Sequence, residues 1–274
     1  ITGKIVKVVD ADSIDLGTST VSGDYTVTAG NAVIQSGVLS ISGATDITAD
    51  NGSKNITLNT QTNLFTGAVS LKGHNIRVTE GDALVLGDIT TGDILNVTAG
   101  GAVTNTGVLD IDGITTISAS GQDVTLNNPD NDFRDTKAVR ITARNVDIVD
   151  EGGIKLGVST VTGTYTVTAG GAVTDDDTTL EITGITTISA TGQDVNLDSS
   201  THNFANEVRI TANNVVVVDE DTIALGASAV SGTYTVTAGG AVTNPGPLLI
   251  TEVTTIAASG QDVTLDEAAN NFIG

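Results

Sequence analysis

The chain has 274 residues and carries 11 basic against 33 acidic side chains, which gives a formal net charge of -22. That charge repels nucleic acid and anionic membrane surfaces, and no apolar run reaches the ~18 residues of a membrane span, so we expect neither nucleic-acid binding nor membrane insertion. Cys, Met and Trp are absent, while β-branched and turn-forming residues dominate. This composition favours strands joined by tight corners.

One stretch recurs four times along the chain. Its copies are Tyr25–Gly30, Leu95–Gly100, Tyr165–Gly170 and Tyr234–Gly239. Recurrence at a fixed spacing of roughly 70 residues is the signature of a repeat protein. We divide the chain into copies 1–70, 71–140, 141–209 and 210–274 of a single β-solenoid segment. Because the chain opens inside a copy, we interpret it as a fragment of a longer array.

Each copy contains three segments of roughly 20 to 25 residues, here called its first, second and third coils. In the first coil of copy 3, Val146, Ile148, Ile154 and Leu156 alternate with residues that could face water, on either side of an acidic corner. The same places hold Val6, Val8, Ile14 and Leu16 in copy 1, Ile76, Val78, Leu84 and Leu86 in copy 2, and Val215, Val217, Ile223 and Leu225 in copy 4. Period-two alternation predicts two short strands, each with one buried face.

The second coil contains the recurrent stretch. We expect Val27, Val97, Val167 and Val236 to point inward, with the threonines beside them pointing outward. The Ala-Gly pair that follows predicts a corner with little room for side chains.

The third coil ends at an Asn-rich corner and one aromatic residue. All four Phe (Phe65, Phe133, Phe204 and Phe272) occupy this place, and all three Tyr (Tyr25, Tyr165 and Tyr234) begin the second coil. Aromatic residues confined to equivalent places indicate core or corner filling. Val167, Ile188 and Ile210 lie in similar short sequences and are expected one turn apart.

These patterns predict an all-β chain that forms a right-handed parallel β-helix (β-solenoid). With three coils in each ~70-residue repeat, we expect about twelve coils.

A catalytic site should interrupt the repeat at one place, and the sequence shows no such interruption. His74 and His202 lie in different parts of the repeat, and no cysteine nucleophile or paired carboxylates stand out. We therefore predict no enzyme activity, no catalytic residue and no cofactor. A polysaccharide-degrading β-helix is the enzymatic alternative.

Calcium is the one metal that the composition suggests, because several corners carry runs of hard oxygen ligands. The candidate ligands are Asp150, Glu151, Asp175, Asp176, Asp177, Asp219, Glu220 and Asp221. We favour a solvated acidic face over a metal site, since the Gly-Gly-x-Gly-x-Asp calcium repeat is absent.

Three recurrent sequences carry a family resemblance: Val-Thr-Ala-Gly-Gly-Ala-Val-Thr, Thr-Thr-Ile-Ser-Ala-x-Gly-Gln-Asp-Val-Thr-Leu, and Asn-x-Phe followed by Asn-Asn-Val-x-Val-x-Asp. They resemble the repeat tracts of very large bacterial exoproteins of the filamentous-haemagglutinin type, over essentially the whole chain. The resemblance implies an exported β-helical fibre at or outside the bacterial surface, with a role in adhesion or biofilm. Its partners would be other fibres, through self-association, and receptors on host or neighbouring cells. The alternative function is a repeat surface that binds calcium or glycans.

Overall fold

The structure is a computed structural model that describes residues 1–274. It divides into two compact units, Ile1–Lys137 and Ala138–Gly274, and each consists of short parallel strands. One 3-10 turn, Asp50–Gly52, is present, and no helix is long and apolar enough to cross a membrane.

The first unit contains strands β1 (Thr2–Gly3), β2 (Val6–Asp10), β3 (Ile14–Leu16), β4 (Ser19–Val21), β5 (Tyr25–Ala29), β6 (Val33–Gln35), β7 (Leu39–Ile41), β8 (Thr45–Ala49), β9 (Ile56–Leu58), β10 (Leu64–Phe65), β11 (Val69–Gly73), β12 (Ile76–Glu80), β13 (Leu84–Thr91), β14 (Leu95–Ala99), β15 (Val103–Asn105), β16 (Leu109–Ile111), β17 (Thr115–Ser118) and β18 (Val124–Leu126). The second unit contains β19 (Ala138–Ala143), β20 (Val146–Asp150), β21 (Ile154–Leu156), β22 (Ser159–Val161), β23 (Tyr165–Ala169), β24 (Val173–Asp175), β25 (Leu180–Ile182), β26 (Thr186–Ser189), β27 (Val195–Leu197), β28 (Asn203–Phe204), β29 (Glu207–Ala212), β30 (Val215–Asp219), β31 (Ile223–Leu225), β32 (Ser228–Val230), β33 (Tyr234–Ala238), β34 (Val242–Thr243), β35 (Leu248–Ile250), β36 (Thr254–Ala258), β37 (Val263–Thr264) and β38 (Asn271–Phe272).

Strands from successive turns pair in parallel and form ladders. One ladder of the first unit runs β2, β5, β8, β11, β13, β15 and β18. Its counterpart in the second unit runs β20, β23, β26, β29, β31, β34 and β37. A second ladder in each unit consists of β3, β6, β9, β12, β14 and β17, and of β21, β24, β27, β30, β33 and β36. The chain is therefore an all-β parallel β-solenoid, as the sequence predicts.

The number of turns is about 14, against the about twelve coils expected from the sequence. The difference lies in β11, β19 and β29, which occupy the three boundaries between copies. β29 pairs with β26 on one side and with both β31 and β32 on the other. The next strand, β30, then joins the ladder of the short strand β27. Each such strand adds about half a turn to its copy. The boundary at 209/210 predicted from the sequence falls inside β29 and divides that strand between two copies.

The inward positions are those expected from the alternation. The four recurrent valines are 0% exposed, and Val167 lies between Ile148 and Ile188, which Ile210 follows in the same register. All three Tyr are 0% exposed, and three of the four Phe are at most 2% exposed. Phe272 is 40% exposed, because β38 pairs with only one strand, β35. The aromatic residues other than Phe272 are therefore core fillers, as predicted.

The Ala-Gly corners leave no room for a side chain on the glycine. A Cβ atom on Gly170 would lie 2.0 Å from the carbonyl oxygen of Glu151 on the adjacent turn. The same contact would be 2.1 Å at Gly30, 2.2 Å at Gly100 and 2.0 Å at Gly239. Only glycine lets the two backbones approach this closely.

Candidate functional site

The acidic corners at 150–151 and 219–221 each combine one buried acid with exposed ones. Asp150 and Asp219 are each 2% exposed, whereas Glu151, Glu220 and Asp221 are exposed. Oδ1 of Asp150 accepts a hydrogen bond from the backbone N–H of Gly152, at 2.8 Å. The first acid of each of these corners therefore helps to hold the turn together.

Asp219 shows the complete arrangement. Its Oδ1 accepts the N–H of Asp221 and its Oδ2 accepts the N–H of Phe204, each at 2.8 Å. Burial raises the pKa of this carboxyl, while the two backbone hydrogen bonds oppose the rise. Through Phe204 the carboxylate connects the third coil of copy 3 to the first coil of copy 4.

Asp175 lies elsewhere, in a buried pair with His202. The histidine is 0% exposed, and its Nε2 lies 2.6 Å from Oδ2 of the aspartate. The N–H of Leu180 donates to Nδ1 at 3.1 Å, so in the neutral ring Nε2 carries the proton and donates it to Asp175. Burial alone would raise the pKa of the Asp175 carboxyl, but hydrogen bonds from His202 and from the N–H of Ser199 hold it below the ordinary value.

The other copies place an amide pair where copy 3 has the Asp–His pair. The equivalent pairs, which we call the interior clamps, are Gln35 with Asn63, Asn105 with Asn131, Asp175 with His202, and Asn244 with Asn270. In each clamp the second residue also accepts a backbone N–H, from Leu39, Leu109, Leu180 or Leu248. The clamps thus fasten the corner of the third coil to the second coil in every copy.

Only part of the proposed calcium cluster comes together. One carboxylate oxygen each from Asp175, Asp177 and Asp198 lie within 4.8 Å of one another, and the last two residues are exposed. Asp176 instead contacts Arg140, 3.3 Å from Nη2, and Thr178. The corners at 150–151 and 219–221 do not join this group.

Sequence reasoning missed Asp198. It follows β27, whose Val195 and Asn196 lie opposite Val173 and Thr174. The spacing of one coil could have found it, had the register between coils been known. Calcium takes 6 to 8 oxygen ligands, and Asp175 already accepts hydrogen bonds from His202 and Ser199. The three residues fit calcium poorly unless other oxygen atoms complete the shell.

The Asp–His pair does not have the geometry of a nucleophilic dyad. Both ring nitrogens are engaged, Nδ1 by a backbone N–H and Nε2 by the carboxylate, and the imidazole is fully buried. The nearby hydroxyl of Ser199 is hydrogen-bonded to Thr201. An activated serine needs a free ring nitrogen as its base, and this arrangement supplies none.

Stacked coils, inward apolar ladders and repeated clamps define a β-solenoid repeat protein. Among protein families, the model of the repeats of unknown function (DUF5649) matches residues 3–72, 73–140, 143–211 and 212–274. The chain therefore belongs to the DUF5649 repeat family. Its four matches agree with our four copies to within a few residues. Neither a curated protein nor a solved structure matches the chain.

Proposed function

We propose that this chain is a structural segment of a long extracellular bacterial fibre or surface adhesin, in which the solenoid acts as stalk or filament. The observation that carries the proposal is the apolar ladder that recurs in every copy. Inward residues such as Val167 are 0% exposed in each copy, and they lie in register with equivalent residues one turn away. Most of the sequence pattern that recurs from copy to copy thus forms the contacts between turns.

Stiffness follows from this construction. Within each unit, successive turns form backbone hydrogen bonds to one another and also bury apolar side chains between them. At ~4.8 Å per turn, a copy of about three and a half turns adds roughly 17 Å along the solenoid axis. Further copies would lengthen the solenoid with the same contacts between turns, which suits a protein that extends outward from a cell.

The surface fits the same role. A net charge of -22 keeps a strand-rich surface soluble and opposes uncontrolled contact between strand edges. Within this proposal the partners are other fibres of the same kind and a receptor on a host or neighbouring cell. The resemblance to filamentous-haemagglutinin-type repeats supports a location outside the cell.

A calcium-binding repeat surface is the second candidate. The grouping of Asp175, Asp177 and Asp198 favours it, since three carboxylate oxygens lie within 4.8 Å of one another. We rank it below the structural role because this grouping occurs in copy 3 alone, whereas the apolar ladder recurs in all four copies.

Electron microscopy and fibre diffraction of the native material test the proposal. We expect long thin fibres with an axial spacing of ~4.8 Å that keep their form in a chelator. Fibres that fall apart without calcium would favour the second candidate. Compact particles of uniform size would refute the fibre role and return attention to the polysaccharide-degrading alternative.

A further inference from the structure

The corner after the first long strand of a copy is closed by an aspartate in three of the four copies. Oδ1 of Asp10, Asp150 and Asp219 accepts the N–H of the residue two positions on, at 2.8 Å in each case. The aspartate side chain has the length that this local turn requires.

Copy 2 has Glu80 at this place. Glu80 is 1% exposed, and its Oε2 accepts the N–H of Phe65 at 3.0 Å, as Oδ2 of Asp219 accepts that of Phe204. Its Oε1 is buried and has no hydrogen-bond partner. The N–H groups of Gly81 and Asp82 lower the pKa of this carboxyl, but neither makes a hydrogen bond of normal geometry to Oε1. One site in the molecule therefore combines a buried carboxyl with an unsatisfied oxygen.

The surroundings of Glu80 contain one other charged group. β9, β10 and β14, which pair with or bond to this strand, contain only uncharged residues, and so does the segment 59–63 that leads into β10. Lys72 of β11 is hydrogen-bonded to Asn51, and Arg77 on the strand itself is exposed. Asp82 is the only charge that acts on the carboxyl, and it is negative. No cation offsets the cost of ionising Glu80, so the buried site favours the neutral acid.

We propose that Glu80 is a proton-operated latch on the coil that ends at Phe65. With the proton bound, the neutral carboxyl accepts the hydrogen bond from the Phe65 N–H, and the coil stays packed against the next one. When the proton leaves, a buried charge with one unsatisfied oxygen loosens the junction between copies 1 and 2.

The direction of the pH effect follows from the two states. Burial raises the pKa of Glu80 from 4.5 to about 7 in the folded chain, and Asp82 adds to the rise, while backbone hydrogen bonds oppose it. The contribution of Glu80 to stability is therefore fully present below pH 4.5 and is lost as the pH rises through 7. Across that window the equilibrium for opening the junction increases on the order of 100-fold.

Amide hydrogen exchange of the full chain, followed by NMR as a function of pH, tests the latch. The reporters are Phe65 and Thr66, whose N–H groups bond to Glu80 and to the carbonyl of Ile41. The second pair is Tyr165 and Tyr234, whose N–H groups bond to the carbonyls of Ile185 and Val253 and to no carboxylate, so that their exchange corrects for the intrinsic pH dependence. We expect the protection of the first pair to fall on the order of 100-fold relative to the second between pH 5 and pH 8. A constant ratio of the two protections would refute the latch.

Two variants and one direct titration complete the test. Glu80→Gln keeps the shape without the charge and should abolish the pH step, whereas Glu80→Asp should move the step to lower pH by restoring the bond to the N–H of residue 82. A step that persists in Glu80→Gln would assign it to another group and overturn the proposal. Should either variant fail to fold, carbon-13 NMR of the Glu80 carboxyl in the wild-type chain decides: ionisation near pH 7 supports the latch, and ionisation near pH 4.5 overturns it.

Discussion

Replacement of Val167 by aspartate tests the inward ladder on which the proposed role depends. Val167 is 0% exposed and lies in register between Ile148 and Ile188. Loss of its apolar burial costs about 2 kcal/mol. An aspartate there must also stay protonated, and carrying a proton from its ordinary pKa near 3.9 to pH 7 costs about 4 kcal/mol. Val167→Asp should therefore destabilise the fold by about 6 kcal/mol at pH 7, but by only about 2 kcal/mol at pH 4.

The matched control is Thr168→Asp, one residue on. Thr168 is exposed and has the uncharged neighbours Val149 and Ser189 in register, whereas Thr166 lies beside Asp147 and would add a repulsion. The control should change stability by less than about 0.5 kcal/mol.

Guanidinium unfolding at the two pH values measures the free energy, and hydrogen exchange shows which turns open. We expect several turns around Val167 to lose protection together, because solenoid turns stabilise their immediate neighbours. Equal effects of Val167→Asp and Thr168→Asp, or an effect of Val167→Asp that does not change with pH, would refute the assignment of inward and outward faces.

Three further predictions concern single sites in copy 3. Gly170→Ala should destabilise the fold by about 1 to 3 kcal/mol in thermal unfolding, because its Cβ would lie 2.0 Å from a backbone oxygen. The control Gly152→Ala, whose nearest contact would be 3.5 Å, should be nearly neutral. Similar losses of stability in the two variants would contradict the close-approach argument. His202→Ala leaves the buried Asp175 charge unpaired and should lower the free energy of unfolding by about 3 to 5 kcal/mol in chemical denaturation. The double change Asp175→Asn with His202→Asn recreates the amide clamp of copy 2 and should recover most of that free energy. Since the pKa of Asp175 is held below 3.8, the wild-type chain, unlike the double variant, should lose this stabilisation as the pH falls below that value. Finally, a chelator and Asp198→Asn should both leave the melting temperature unchanged, and a clear drop with either would establish metal binding at the copy 3 cluster.

The amino-acid sequence determined the repeating parts of this protein. Alternation placed Val167 inside and Thr168 outside, and recurrence assigned Phe and Tyr to fixed places in the core. The Ala-Gly corner was also predictable, because only glycine fits where two backbones nearly touch. These features depend on neighbours along the chain or on comparison of one copy with the next. A local pattern repeated four times is enough to reveal them.

The tertiary structure alone decided how the corners of successive turns lie against one another. Asp175 meets His202 across 27 residues of chain, and Asp198 joins the cluster through the register of β24 with β27. The additional half turn at β29 likewise depends on a strand that pairs with two short strands of the next turn. The side-chain pattern predicted register where a strand sequence recurs, as at Val167, Ile188 and Ile210, but it left the pairing of the variable corners and boundary strands unspecified, because backbone hydrogen bonds are the same for every residue except proline. Burial of the corner carboxyls, including Glu80, follows from that register and could be seen only once the turns were stacked.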